Sequence, residues 1–240
     1  MTPAPTSGRD AASDKASREA PMQWDPTTHY KDVAVAERYD RERFSRLTGR
    51  IFDRLEKRAL RRAFAGVPRS SLVLDLPCGT GRLAETLLEQ GFRVVGVDIS
   101  PAMLAVASRK LQRFDDRFDT LVSDVHDLAR TSSGAYDVAL CARVLMHFPL
   151  PEQTAFLASV ARLAKRTVVF SQSISTPWQR LRRGVKRLIG NPPPARWPIS
   201  ERELLALLAG AGLREVRRVR VASLVSEGMF VVAEHGTDAG

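Results

Sequence analysis

Two acidic residues, each ending a short apolar run and separated by a glycine turn, hold the chemistry most readily seen in this chain. The first run is Leu72-Val73-Leu74-Asp75, followed by Leu76-Pro77-Cys78-Gly79-Thr80-Gly81-Arg82, and the second is Arg93-Val94-Val95-Gly96-Val97-Asp98. Gly79 and Gly81 can take φ > 0 and leave no Cβ between main chain and ligand. Leu83, Ala84, Leu87 and Leu88 then recur at helical spacing, so a helix begins at the turn. Its free N–H groups and positive dipole end face whatever sits there. Asp75 is placed to accept hydrogen bonds from an ammonium group. Gly79-Thr80-Gly81-Arg82-Leu83-Ala84 also fits the GxGxxG/A dinucleotide pattern, but a carboxylate at position 75 would repel a pyrophosphate. An acid roughly 20 residues beyond such a turn can hold both hydroxyls of an adenosine ribose, which is the place of Asp98.

The residues after Asp98 open another helix. Ser100 is a good N-cap and Pro101 suits the first helical position, ahead of Ala102-Met103-Leu104. Two further segments share the pattern of an apolar run reaching a polar end. They are Thr120-Leu121-Val122-Ser123-Asp124-Val125 and Tyr136-Asp137-Val138-Ala139-Leu140-Cys141, the latter continuing to Val144-Leu145-Met146-His147-Phe148.

The first segment resembles the D/E-x-G-x-G-x-G motif of class I S-adenosylmethionine-dependent methyltransferases, with Pro77 in place of the first glycine. The second resembles that family's GVDxSxxML form, and the fourth its YDVVxxxxVLxHF form. The nearest group by resemblance is the type 11, UbiE-like small-molecule methyltransferases, and the likeness covers roughly Val73 to Phe170. It implies S-adenosyl-L-methionine as cofactor. Asp98 then grips the ribose, Ile99 and Met103 pack near the adenine, and Asp124 with Val125 meets the adenine edge. Asp75, Pro77, Cys78, Gly79 and Gly81 form the turn around the methionine end. Pro77 fixes φ and removes one backbone donor there. Ala36-Glu37-Arg38-Tyr39-Asp40 resembles a lid segment of small-molecule members, in which Tyr39 reaches over the cofactor. A plain helix-packing role for Tyr39 is the alternative.

The resemblance also implies the fold: a Rossmann-like α/β domain with a seven-stranded, mostly parallel sheet, helices on both faces and a C-terminal antiparallel hairpin. Alternation of short apolar runs and helical patterns independently gives a parallel sheet. Strands are expected near 72–76, 93–97, 118–122, 136–141, 166–171, 213–220 and 226–233. Helices are expected near 81–90, 101–112, 152–164 and 200–210. The ligand belongs at the carboxyl ends of the strands, between the first and fourth. Residues 1–23 read as a disordered tail, 24–66 as lid helices and 67–236 as the methyltransferase domain, with a basic amphipathic insertion at 172–198.

Of the four histidines, His147 stands just beyond the fourth strand, where a general base for an oxygen acceptor is needed. Packing or orienting the loop is its other reading, and His126, beside Asp124, is a second candidate. No Cys/His/acid spacing suits a metal, and Cys78 and Cys141 make no disulfide framework. With no run of 18 apolar residues and no hydrophobic stretch in the first 21, the chain reads as a cytoplasmic protein without a secretory signal.

The net charge of +10 admits an acidic partner or mere solubility. From Trp178 to Ile189 apolar residues share one helical face, and Arg180, Arg182, Arg183, Lys186 and Arg187 cover the rest. This segment is a cap over the site, a peripheral contact with an anionic membrane, or a contact for an acidic partner or RNA, the first two being compatible if the acceptor is a lipid. Asn191-Pro192-Pro193 resembles the Asn-Pro-Pro-aromatic motif of amide- and base-methylating enzymes. It follows the fifth strand, and Pro194 stands in the aromatic place, so that reading is disfavoured. The acceptor is expected to be a small or lipid-type molecule methylated on O, N or C. The alternatives are an RNA or protein methyltransferase, an NAD-type oxidoreductase, or a cofactor-binding regulator. No recognisable nucleic-acid module accompanies the charge, and neither the acceptor nor the oligomeric state is legible.

Overall fold

The computed structural model of the chain describes residues 47–175, 198–222 and 228–236. Tyr39, the tail at 1–23, the first of the helices expected in 24–66 and the basic segment around Trp178–Ile189 lie outside the described residues.

Seven strands form one sheet in the order β3-β2-β1-β4-β5-β7-β6. They are β1 (Leu72–Asp75), β2 (Arg93–Asp98), β3 (Phe118–Val122), β4 (Tyr136–Cys141), β5 (Ala164–Ser173), β6 (Leu213–Arg220) and β7 (Gly228–His235). The first five run parallel, and β7 pairs antiparallel with both β5 and β6. The Rossmann-like fold and its C-terminal antiparallel pair are therefore as the sequence led us to expect. Strand order reverses between β1 and β4, which opens a crevice at their carboxyl ends.

Side chains alternate across the sheet, and each face has its own core. On one face, Leu74, Ala139, Cys141, Val168 and Phe170 pack against α4 (Val125–Thr131), α5 (Leu150–Leu163) and α6 (Glu201–Gly210). On the other, Val73, Val138, Leu140 and Val169 meet α1 (Leu47–Ala63), α2 (Arg82–Glu89) and α3 (Pro101–Leu111). The helix ends follow local chemistry. Ser100 caps α3 by accepting from Met103 N–H at 3.2 Å, and Ser200 with Glu203 forms a reciprocal capping box on α6. The short helix α4, absent from the sequence reading, is capped by Asp124, which accepts from His126 N–H at 2.7 Å.

After β5 the chain continues to a single parallel bridge between Ile174 and Ile199. Ser175 N–H donates to the Ile199 carbonyl at 2.9 Å, and Ile199 N–H to the Ser173 carbonyl at 3.1 Å. The segment 176–197 thus leaves and rejoins the sheet at one point.

The glycine turn joins β1 to α2. Leu76 follows β1, and the Leu76–Pro77 peptide is cis. Cys78 N–H donates to the Val97 carbonyl at 2.8 Å, so the turn is stitched to β2. Gly79 and Gly81 both have positive φ, +57° and +71°. Their reasons differ. A Cβ on Gly79 would meet nothing within 4 Å, whereas one on Gly81 would lie 2.7 Å from Leu111 Cδ1 and 3.1 Å from Ala107 Cβ. The expectation that Gly81 bares main chain to a ligand is corrected here: its missing side chain lets α2 sit close against α3.

Gly81→Ala should therefore destabilise the fold through both strain and overpacking, by about 2 kcal/mol or more. Urea unfolding of the variant beside wild type measures this, and an unchanged midpoint would contradict it.

Candidate functional site

The crevice at the strand ends is a cavity of about 300 Å³. Its wall is built by the tips of β1, β2 and β4 and the loops that follow them. Every site residue expected from the sequence and lying within the described residues lines it, except Gly81: Asp75, Pro77, Cys78, Gly79, Asp98, Ile99, Met103, Asp124, Val125 and His147.

Asp75 ends β1 and is 1% exposed. Its Oδ2 is buried with no hydrogen-bond partner among the described residues. Burial, above all, pushes its carboxyl up to about 8; the Arg82 cation partly offsets this and the Asp98 charge adds to it. A buried carboxyl oxygen with nothing to bind is costly, so a cationic or donor group brought to this atom would relieve that cost. Asp98, one strand over, is better supplied. Its Oδ2 accepts from Gly79 N–H at 2.8 Å and its Oδ1 from Ser100 N–H at 2.9 Å. Burial raises its carboxyl too, and these N–H bonds oppose the rise. Asp98 therefore pins the glycine turn, a duty that residue spacing alone did not reveal. Each oxygen keeps a further lone pair for a hydroxyl donor.

Asp124 combines two places. One oxygen caps α4, and the residue still lines the cavity beside Ser123 and Val125. Burial pushes the Cys78 and Cys141 thiols up, and both cysteines are free and buried. They are poor nucleophiles in this setting. Among the described residues no group of acids, histidines and cysteines could hold a metal ion.

Two arginines that line the cavity, Arg82 and Arg143, are held by acids of α1. Glu56 of α1 is 4% exposed and bonds both Arg82 and Arg143, the latter through Nη1 to Oε2 at 3.0 Å. Arg82 also reaches Asp53 Oδ1 at 2.6 Å. Arg143 follows β4 in a left-handed conformation, φ +65°, unusual for a side chain that is not glycine. Its N–H donates to Ser171 Oγ at 2.6 Å, which holds that backbone in place. Sequence patterning did not single out Glu56 or Arg143, since Glu56 sits among many charges on a surface-patterned helix.

The far wall is aromatic. His147 lies in a short 3-10 turn, Leu145–His147, and Phe148 stacks on Phe156 with ring centroids 5.9 Å apart. His126 meets Phe156 edge-on at 6.2 Å and bonds Ser159 Oγ through Nδ1 at 2.8 Å. That bond ties His126 to α5.

The described residues fit S-adenosylmethionine. They offer a buried acid with an oxygen unpartnered among them, a left-handed glycine with open space where a Cβ would stand, and a second acid at the neighbouring strand tip. A pyrophosphate fits less well beside Asp75.

Residues 73–167 match the family model described as a methyltransferase domain. A ubiquinone biosynthesis O-methyltransferase of Xanthomonas oryzae is 36% identical over 93 residues, which are 39% of this chain and 38% of that one. A magnesium-protoporphyrin O-methyltransferase of Synechocystis is 36% identical over 100 residues, 42% of this chain and 43% of that one. The matched stretch is thus about two fifths of the length of these curated relatives. Among solved structures, magnesium protoporphyrin IX methyltransferase from Synechocystis with bound S-adenosylhomocysteine superposes with a TM-score of 0.72 at 20% identity. That match covers 88% of this chain and 98% of the other. A 1,6-didemethyltoxoflavin-N1-methyltransferase of Burkholderia thailandensis gives a TM-score of 0.59 at 21% identity, covering 91% and 93%. The fold is an α/β domain with a ligand-sized crevice at its strand ends. Over residues 73–167 the chain is similar to S-adenosylmethionine-dependent methyltransferases.

Two outcomes test this site. Glu56→Leu removes the buried acid that Arg82 and Arg143 share, leaving Asp53 to Arg82, and should cost about 3 kcal/mol of folding stability by urea titration. The raised Asp75 carboxyl favours the protonated fold: its contribution is fully present below the ordinary value near 3.8 and is lost as pH rises through about 8. In the ligand-free protein, the stability of wild type relative to Asp75→Asn should fall over that range and level off above it. A difference that does not vary with pH would refute the assignment.

Proposed function

We propose that this protein transfers the S-methyl group of S-adenosylmethionine to an O, N or C atom of a small-molecule or lipid-type acceptor. The single observation that carries the reading is the buried Oδ2 of Asp75, without a partner among the described residues, beside the open space over Gly79. When bound, the cofactor supplies a sulfonium methyl carbon that is displaced in line. The chain's own residues bind and align. Asp75 accepts from the cofactor's ammonium group, and Asp98 from its ribose hydroxyls while keeping the turn fixed. Pro77, Cys78 and Gly79 enclose the methionine end, with Ile99, Met103, Asp124 and Val125 around the adenine. Arg82 stands beside Asp75 and offsets its charge.

His147, Phe148, Phe156 and Val144 make the acceptor side apolar and aromatic, with Arg143 as its cation. His147 is the base that takes a proton from an oxygen acceptor. The relatives named above act on small molecules, which supports an acceptor of that kind. We place residues 1–23 as a tail, 24–66 as a lid carrying Tyr39 over the cofactor, and 67–236 as the catalytic unit. The basic segment within 172–198 is a cap over the acceptor or a contact with an anionic membrane surface. No helix among the described residues is long and apolar enough to cross a membrane, and we place the protein in the cytoplasm.

Calorimetry with S-adenosylhomocysteine and with NADH separates the readings: tight binding of the first and none of the second is expected, and the reverse would end the proposal. Asp98→Ala should lose on the order of 3 kcal/mol of S-adenosylhomocysteine affinity, since charged hydrogen bonds to two hydroxyls go. Below about pH 8 that binding should release a proton and strengthen as pH rises, because Asp75 must ionise to meet an ammonium group. Asp75→Asn should abolish both effects. Methyl-labelled cofactor incubated with cell extract identifies the acceptor, and His147→Ala should slow its turnover about a hundredfold or more while leaving S-adenosylhomocysteine affinity intact.

A further inference from the structure

The loop from Ala142 to Phe148 carries Arg143, His147 and Phe148 into the cavity, and consecutive residues of β5 hold it at both ends. At its start, Ser171 Oγ accepts from Arg143 N–H at 2.6 Å. At its finish, a chain of side-chain amides reaches in from the other face of the sheet. Ser173 N–H donates to Gln172 Oε1 at 3.0 Å, Gln172 Nε2 to Gln153 Oε1 at 2.7 Å, and Gln153 Nε2 to the Phe148 carbonyl at 2.8 Å. Ser173 O in turn accepts from Ile199 N–H, in the neck of segment 176–197. Gln153 is 0% exposed and Gln172 1%.

Two fully buried amides are costly unless every bond is made. Phe170 and Ile174 flank Gln172 on the same face of the chain and Leu157 stands one turn beyond Gln153, all in the apolar core, so apolar side chains of similar size would suit both places. What apolar side chains would not do is hold the Phe148 carbonyl. The donor–acceptor sense of the three bonds also fixes both amide orientations, so the chain has one geometry.

We propose that Gln153 and Gln172 are positioning residues for the acceptor side of the site: they set the His147–Phe148 backbone in register with the neck of the 176–197 segment. They touch neither acceptor nor cofactor. They act through the Phe148 carbonyl, which fixes where the His147 imidazole and the Phe148 ring stand. The proposal rests on the methyl-transfer reading of this cavity, but the two fail separately. Absence of S-adenosylhomocysteine binding sinks that reading, and an unmoved His147 sinks this one.

The test uses the full chain with carbon-13 at histidine Cε1, saturated with S-adenosylhomocysteine, and His147 assigned by His147→Gln. Gln153→Met and Gln172→Met should each shift or broaden the His147 cross-peak. The His235 cross-peak should stay in place, and S-adenosylhomocysteine affinity should stay within about twofold, since that half of the site shares no partner with the amide chain. Gln153→Glu gives a finer readout. Its neutral acid can donate to the Phe148 carbonyl and accept from Gln172, whereas its carboxylate can only accept. The His147 cross-peak should then resemble wild type at low pH and the methionine variant at high pH, across the variant's own titration.

A His147 cross-peak unmoved in both methionine variants would overturn the proposal. So would a joint shift of His235 with loss of S-adenosylhomocysteine affinity, which marks general loss of packing. Should neither methionine variant fold, the pH dependence of Gln153→Glu decides: a His147 signal that does not change with ionisation of the new acid overturns it.

Discussion

Burial of a carboxyl group at the tip of the central strand is the constraint around which this site is arranged. Asp75 lies where β1 meets the crevice, among groups that raise the cost of its charge and one cation, Arg82, that lowers it. Arg82 cannot be left alone there either, and α1 supplies Glu56 and Asp53 to meet it. Glu56 then takes Arg143 as a second partner, and so the helix ahead of the sheet, the glycine turn and the loop after β4 become one electrostatic unit. A ligand that brings a positive group to Asp75 completes the set. The site is held by opposite charges in a medium of low dielectric, where each unmatched member is expensive.

The two acids that stood out in the sequence divide the labour differently from what their symmetry suggests. Asp75 keeps an oxygen in reserve, whereas Asp98 spends both of its oxygens on the main chain, at Gly79 and at Ser100. The second acid is thus structural and ligand-facing together. It draws the turn of one βα unit onto the strand of the next, so the spacing between them is fixed by a bond and not by chain length alone.

How much was legible follows from range. Strands β1, β2 and β4 could be read because buried parallel strands are near-continuous apolar runs, and α3 because Ser100 and Pro101 announce its start. Helix α4 has seven residues, too few for a period to emerge, and its cap, Asp124, looked like a strand-end acid. The need for glycine at 81 was visible, but its cause was not, since Ala107 and Leu111 come from another helix. Glu56, Arg143 and the Gln153–Gln172 pair left no signal because each depends on a partner far along the chain. For Arg143 and Glu56 that separation is 87 residues. Local periodicity reports which face a residue shows to the core, not which polar group it will find there.

The pinched neck at Ile174 and Ile199 has an evolutionary corollary. Because the two ends of the intervening stretch are already tied to each other, the sheet is indifferent to how long that stretch is. Doubling the enclosed length adds only about 0.6 kcal/mol of closure entropy. A domain with such a clasp can take an insert of another size or composition there while the pairing of the strands is kept.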